Sequence, residues 1–579
     1  MNYLFSLLIF SFLTSVTVTA QPNVNYNAAQ LHEDLERLTV LGSVLYLAAH
    51  PDDENTRLIT YFTKEKKYNT AYLSLTRGGG GQNLIGTELN EQLGVIRTQE
   101  LLAARLIDGG KQFFSRARDF GFSKTPDETF EVWDKEKVLA DVVWVIRNFQ
   151  PDVIVTRFNT EPGRTHGHHT ASAILASEAF DAAADPKRFP EQLKYVDVWQ
   201  VKRLVWNTNS WFYTNPSEFN ADSMLTVDVG GYNNVLGKSY SEIAAESRSM
   251  HKSQGFGASG TRGVSLEYLE HTKGPKAKKD LFEDINVTWS RIQGGEKIGE
   301  KLQEVYKNFS LDNPSASLDA LLDVRKLIIA LPDGYWKKVK LQELDAVIKG
   351  TLGLWTEAVA ADYSAVPGEK IKVTIEAINR TSIPVELKQV RFSSAVGDTS
   401  LSLELKQNIG HTLTTFIKIA EKASYSGPYW LREKQEIGMF TVSDQQLIGM
   451  AENPPAVSVA FTLNIKGQTI EYTTPLVYKK TDPVKGEIYR PFEIVPPVFV
   501  NLSEDLIVFA DTKPKTLSFS VRSSIDKVEG VVKVAAPQGW RVEPSELPLK
   551  LSGEGVEINY QVKVYPSEAA SQEFLQIYA

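Results

Sequence analysis

The chain has 579 residues, of which 42% are hydrophobic and 23% charged, with a formal net charge of −8. That length calls for two to four domains of ordinary globular composition, and a mild negative charge that is gathered in no long run argues against nucleic acid as the main partner, since nucleic acid calls for a basic face. There is no cysteine, which excludes disulfide scaffolds, thiolate metal sites, cysteine nucleophiles and lipid modification of a cysteine behind a leader.

Residues 1–20 are almost free of charge, rich in Leu, Phe and Ile, and end in the small-residue pattern Val18-Thr19-Ala20. They read as a secretory signal peptide, although the first residues lack Lys or Arg. The apolar run is short for a membrane span, and no later stretch is long and apolar enough to be one. The expectation is therefore a secreted, periplasmic or cell-surface protein with no transmembrane segment after cleavage.

An amphipathic helix is predicted over 28–38. The apolar run 44–49 then reads as a buried parallel strand. It stops at His50-Pro51-Asp52-Asp53-Glu54, and a helix follows over 55–68. A second strand over 70–76 ends in Arg77 and four glycines, Gly78 to Gly81. A helix is predicted over 92–106, a short strand over 112–115, and then the turn Asp119-Phe120-Gly121. A helix over 135–149 is broken by Pro151. The β-branched strand 153–156 leads into Thr165-His166-Gly167-His168-His169, and 170–182 reads as the next helix. Alternation of this kind implies a parallel sheet with right-handed crossovers. Beyond residue 186 the pattern loosens, with strands over 201–206 and 224–229, a helix over 241–250 ending at His251, and mainly helical stretches over 287–308 and 318–358. From Pro367-Gly368 onward, short alternating β-branched segments indicate a β-sandwich. A Pro-rich passage over 489–497 reads as a linker, and 506–564 as a second sandwich. The domain boundaries expected are 1–20, 21–290, 291–362 (a helical extension), 363–488 and 489–579.

Two elements supply metal-type ligands: His50 with Asp53, and the cluster His166, His168 and His169. Both follow strands, where open α/β sheets bind ligands. Three protein ligands and one water are the pattern of catalytic zinc, as opposed to the closed structural site, and Fe²⁺, Co²⁺ or Mn²⁺ suit the same donors. Asp52, left unligated beside the metal, is placed to take a proton from water.

The sequence Ala49-His50-Pro51-Asp52-Asp53-Glu54 with His166-x-x-His169 resembles the PIG-L/LmbE-like deacetylases, zinc-dependent enzymes that remove an acyl group from an amino-sugar nitrogen. Thr76-Arg77-Gly78, the helix Leu93-Gly94-Val95-Ile96-Arg97-Thr98-Gln99-Glu100, Asp119 and His251-Lys252-Ser253-Gln254 look like further family pieces in the right order. The resemblance covers roughly residues 42–255. It implies a Rossmann-like α/β domain in which His50, Asp53 and His169 hold zinc, Asp52 is the general base and His166 stabilises the oxyanion. Arg77, Asp119, His168 and His251 are assigned to the substrate. Two residues depart from the family pattern: His168 stands where an acidic residue is usual, and Gly167 where proline is common. Structural alternatives are an ion pair of Arg77 with Glu100 or Asp119, a turn-capping role for Asp119, a solvent-facing His168 and a helix-terminal charge at His251. The expected substrate is an external N-acetylated sugar or glycoconjugate. The two C-terminal sandwiches, the last resembling an immunoglobulin-like module, are expected as accessory domains. The rival readings are a zinc amidase acting on a non-sugar amide and a non-catalytic glycan-binding protein.

Overall fold

The computed structural model describes residues 25–579 apart from 214, 505 and 570; the expected signal peptide lies outside the described residues. The chain divides into two units. One comprises Asn25–Leu354 with Gly427–Pro454, and the other Trp355–Ser426 with Pro455–Ala579.

The first unit is built on five parallel strands, β1 (Ser43–Ala48), β2 (Asn69–Ser74), β3 (Lys111–Phe114), β4 (Val153–Thr156) and β5 (Arg203–Thr208), in the order β3-β2-β1-β4-β5. The chain winds outward from β1 in one direction and, after β3, crosses to β4 on the other side. This reversal opens a crevice between the C-terminal ends of β1 and β4. β1 is buried along its whole length. Leu45 and Leu47 face one core, shared with helices α5 (Lys135–Phe149) and α6 (Gly167–Ala182). Val44, Tyr46 and Ala48 face the other, shared with α2 (Thr56–Thr60) and Leu101 of α3 (Asn90–Asp108). A strand covered on both faces has no polar side to alternate with, so it reads as a continuous apolar run.

The sheet is mixed, where the sequence pattern predicts a purely parallel one. Leu266–Lys273 pairs antiparallel with β5 and carries Leu225–Asp228 beyond it, and Gly449–Met450 closes the opposite edge antiparallel to β3. The predicted helix over 55–68 is shorter than expected: α2 gives way to a π-helical turn, Tyr61–Glu65. A helix that the periodicity did not reveal, α4 (Pro126–Val132), starts from a Thr125 cap with proline in its first turn. After α7 (Tyr240–Arg248), three further helices, α8 (Glu296–Lys307), α9 (Leu318–Ile329) and α10 (Tyr335–Thr351), belong to this unit, as does α1 (Ala28–Leu38). The helical stretch expected over 318–358 ends at Thr351, and a strand starts at Trp355.

The second unit holds a six-stranded and a four-stranded sheet, then sheets of four and three strands that share one apolar core around Phe519, Val532 and Val562. The unit is thus built of strands in sheets, where the alternation predicts two successive sandwiches. The boundary of the first is corrected by the structure: within the expected range 363–488, Gly427–Pro454 belongs to the α/β unit. Among the described residues no helix is long and apolar enough to cross a membrane.

Candidate active site

His50 stands where β1 ends and the chain turns. Its backbone N–H donates to Asp53 Oδ2 at 2.8 Å, and its carbonyl accepts from the Tyr72 hydroxyl. The turn forces Asp52 to a φ of 109°, a region that costs a non-glycine residue of order 1–3 kcal/mol. From the other strand end, His166 is the N-cap of α6, and His168 and His169 occupy its first turn. Gly167 is required there. A Cβ at this position would lie 2.0 Å from the Thr125 carbonyl oxygen, and the Gly167 N–H donates to Ser123 O at 2.8 Å. Proline can make neither the close approach nor the bond, which accounts for that departure from the family pattern.

The two elements meet. His50 Nδ1 is 3.2 Å from Asp53 Oδ2, and His169 Nε2 is 3.3 Å from Asp53 Oδ1. Zinc bonds of about 2.0–2.2 Å in tetrahedral array separate their ligand atoms by about 3.3 Å, so His50, Asp53 and His169 fit such an ion. A second trio overlaps it. His50, His166 and His168 also bring ligand atoms within 4.8 Å of one another. His50 Nε2 faces His168 Nδ1 at 3.2 Å.

The charges around the trio describe a site built for a cation. Burial favours the neutral His50 ring, yet the hydrogen bond it donates to Asp53 and the charges of Asp119, Asp53 and Asp52 push it up to about 9. Asp53 is held well below the usual carboxylate range, the charges and hydrogen bonds of His169 and His50 outweighing burial. Asp52 is pushed up to about 7 by burial and by the Asp53 charge. His166 is pushed down to about 3 by burial and by His169 and His50, so its ring is neutral and carries one N–H.

Asp52, Asp53 and His169 line one cleft of about 550 Å³. The four residues assigned to substrate from sequence lie elsewhere. Arg77 is 2% exposed; its guanidinium donates to Thr98 Oγ1, the Tyr429 hydroxyl and the carbonyls of Met450 and Ala451, and sits over the rings of Phe114 and Trp430. Its work is to anchor Gly427–Pro454, and neither Glu100 nor Asp119 is among these partners. His168 is fully buried, stacked on Trp133 at 4.8 Å and edge-on to Phe120, so it neither faces solvent nor reaches the cleft; burial pushes it down to about 2. His251 is fully buried and bonded through Nε2 to Glu54 Oε1 at 2.7 Å. Asp119 accepts from the Gly121 N–H and lies 3.9 Å from His50 Nε2. It thus caps its turn and faces the ligand histidine.

The Gly78–Gly81 run is explained by Arg97, which donates to the carbonyls of Gly78 and Gln82; a Cβ at Gly81 would lie 2.6 Å from its guanidinium. Glu100 accepts from Ser253, and Gln254 donates to Pro51 O. The sequence pieces therefore brace the His50–Glu54 turn from behind. Sequence reasoning missed the cleft walls, which include Arg157, Arg248, Trp211, Phe212 and Glu267. Arg157 follows β4 directly and was open to the strand-end argument, whereas the others come from a short turn of helix after β5, from α7 and from the antiparallel strand beside β5.

Residues 45–180 match the family model described as PIG-L: GlcNAc-PI de-N-acetylase, so this part of the chain is a PIG-L domain. Two curated relatives are similar to part of the chain. A 1D-myo-inositol 2-acetamido-2-deoxy-alpha-D-glucopyranoside deacetylase of Geodermatophilus obscurus is 32% identical over 29% of this chain and 62% of its own length. A mycothiol S-conjugate amidase of Streptomyces coelicolor is 27% identical over 28% of this chain and 58% of its own. The chain thus spans about three-fifths of the length of these relatives. Among solved structures, an N,N'-diacetylchitobiose deacetylase from Pyrococcus horikoshii aligns over 37% of this chain and 70% of that one, at 16% identity and a TM-score of 0.28. That score is too low to support an argument.

Proposed function

We propose that the chain is an exported metal-dependent N-deacetylase that hydrolyses the N-acyl amide of an amino sugar or glycoconjugate. The observation that carries the reading is Asp52 lying beside the His50, Asp53 and His169 trio at the wall of a single cleft. The PIG-L match over this segment and the deacetylase among its relatives supply the chemistry.

A divalent ion such as zinc, held by His50, Asp53 and His169, would supply Lewis acidity toward the acyl carbonyl and lower the pKa of water. Asp52 takes the proton of the attacking water and returns it to the departing amine. Its raised pKa suits both halves of that exchange. The neutral His166 ring, its centre 3.9 Å from that of His169 and tilted to it, presents an N–H to the developing oxyanion. His168 meets the far nitrogen of His50 and fixes which nitrogen of that ring faces the ion. The products are acetate, or another short acid, and a free amino sugar.

The test is acetate release from N-acetylated saccharides by wild type and Asp52→Ala, with and without chelation. Release lost in both cases and restored by zinc supports the reading. The similarity to an amidase favours one alternative, a non-sugar amide substrate, and release from acyl-peptides but from no saccharide would establish that instead.

A further inference from the structure

We infer that the substrate is acidic: the cleft holds a subsite for a carboxylate or phosphate on the N-acylated sugar, formed by Arg157 and Arg248 with Trp211 as its apolar wall. This rests on the deacetylase reading for the identity of the reacting group, not for the charge of the ligand.

Arg157 emerges directly from the end of β4, half-buried in the cleft wall. One of its nitrogens donates to Asn207 Oδ1 at 2.9 Å, and its guanidinium lies 5.0 Å from the centre of the Phe212 ring. Asn207 is fully buried, and the same oxygen also accepts from the Tyr46 hydroxyl and the Asn55 amide. Arg157 is therefore fixed in direction by a rigid hub at the base of the sheet. Among the described residues it has no carboxylate within ion-pair distance. A guanidinium is always charged, and one that is partly desolvated without an anion is costly unless a ligand supplies the partner.

Arg248, at the C-terminal end of α7, lines the same cleft. It donates to the Asp52 carbonyl and sits over the Phe256 ring at 4.2 Å; its charge is felt by Asp52 and Glu54, but among the described residues no carboxylate lies within ion-pair distance of it. The acids of the cleft are mostly committed elsewhere. Asp53 is shared by His50 and His169, Glu54 is bound to His251 and Arg105, and Glu267 meets Arg57 and Asn207. Two cations are left against the single free carboxylate of Asp52, and an ion in the trio adds further positive charge. Trp211, 54% exposed, completes the cleft wall as an aromatic side chain, with the Arg164 guanidinium over its ring at 5.3 Å. Planar forks that are preoriented and lack partners recognise carboxylate and phosphate.

The experiment uses two matched pairs: N-acetylmuramic acid against its methyl ester, and N-acetylglucosamine 1-phosphate against methyl N-acetylglucosaminide. Hydrolysis by the zinc-loaded full chain is compared with calorimetric binding to zinc-loaded Asp52→Asn. In at least one pair the charged member should be favoured by about tenfold or more, the pair identifying carboxylate or phosphate. That ratio should fall toward one in Arg157→Gln or Arg248→Gln and be partly kept in Arg157→Lys. A ratio near one in both pairs, or one unchanged in both Gln variants, overturns the inference. Tighter binding of the acidic member with no hydrolysis of any sugar would uphold the subsite and overturn the deacetylase reading; hydrolysis without a ratio does the reverse.

Discussion

His50 and Glu54 are four residues apart and play opposite electrostatic parts. Against burial, the hydrogen bond to Asp53 and the charges of Asp119, Asp53 and Asp52 push the His50 ring up to about 9. A ligand histidine must be neutral, so zinc binding near pH 7.5 is expected to release about one proton. Titration calorimetry in buffers of different ionisation enthalpy reads that number, and binding without proton release would place the ion elsewhere. Glu54, next to the base, is a structural acid. Burial pushes its carboxyl up, but the charges of His251, Arg105 and Arg248 outweigh burial and hold it at about 2. Its folded pKa is below the unfolded value of 4.5, so the stability it contributes is full above that value and is lost as pH falls toward 2. Glu54→Gln leaves a buried cationic partner and is expected to cost about 3–5 kcal/mol at pH 7, with a flatter acid limb in denaturation curves recorded from pH 6 to pH 3. An unchanged acid limb would show that Glu54 is not the group titrating there. The clustering of His50, Asp53, His166 and His169 was legible because few structural roles need two aspartates and a histidine at one strand end and more histidines at another. The part played by Glu54 was not, because its partners are contributed by α3 and by the chain after α7.

At the level of elements, the site depends on how α6 begins. The contact of Gly167 with the Thr125 carbonyl seats that helix against the segment before α4. Gly167→Ala must move one or the other, and a shift of even 0.5 Å at the helix start loosens ligands held to tight bond lengths. The expected result is weaker zinc binding, by about tenfold or more, with the sheet intact by circular dichroism; unchanged affinity would contradict the seating role. The strands β1, β2, β4 and β5 were readable as apolar runs with turn residues after them. The antiparallel edges were not: Leu266–Lys273 is half-exposed and mixed in character, and Gly449–Met450 is two residues long. Arg77 shows the same limit. The family resemblance implied a substrate contact, but besides Thr98 its hydrogen-bond partners lie more than 350 residues away in sequence.

For the whole molecule, the chain order hides a dependence. Gly427–Pro454 leaves the sandwich region, adds an edge strand to β3, and buries Tyr429, Trp430, Met439, Phe440, Val442 and Ile448 in the core shared with α5. At roughly 1.5–3 kcal/mol per buried apolar side chain, these contacts are comparable to the whole stability of about 5–15 kcal/mol expected of a domain. A chain of residues 25–354 alone is therefore expected to melt far below the same chain joined through a flexible linker to 427–454. Equal melting temperatures would contradict the dependence. The expectation of simply appended C-terminal modules therefore misses that Gly427–Pro454, within the first expected sandwich, belongs to the α/β unit. The central claim is that Asp52 works beside a metal on an N-acyl sugar. Its most direct test is acetate release from a panel of N-acetylated saccharides by wild type, chelated and zinc-restored wild type, and Asp52→Ala. The account predicts release that disappears with chelation and with Asp52→Ala, by about 10²-fold or more, and returns with zinc. Release that survives both treatments, or none from any saccharide by the zinc-loaded protein, would contradict it.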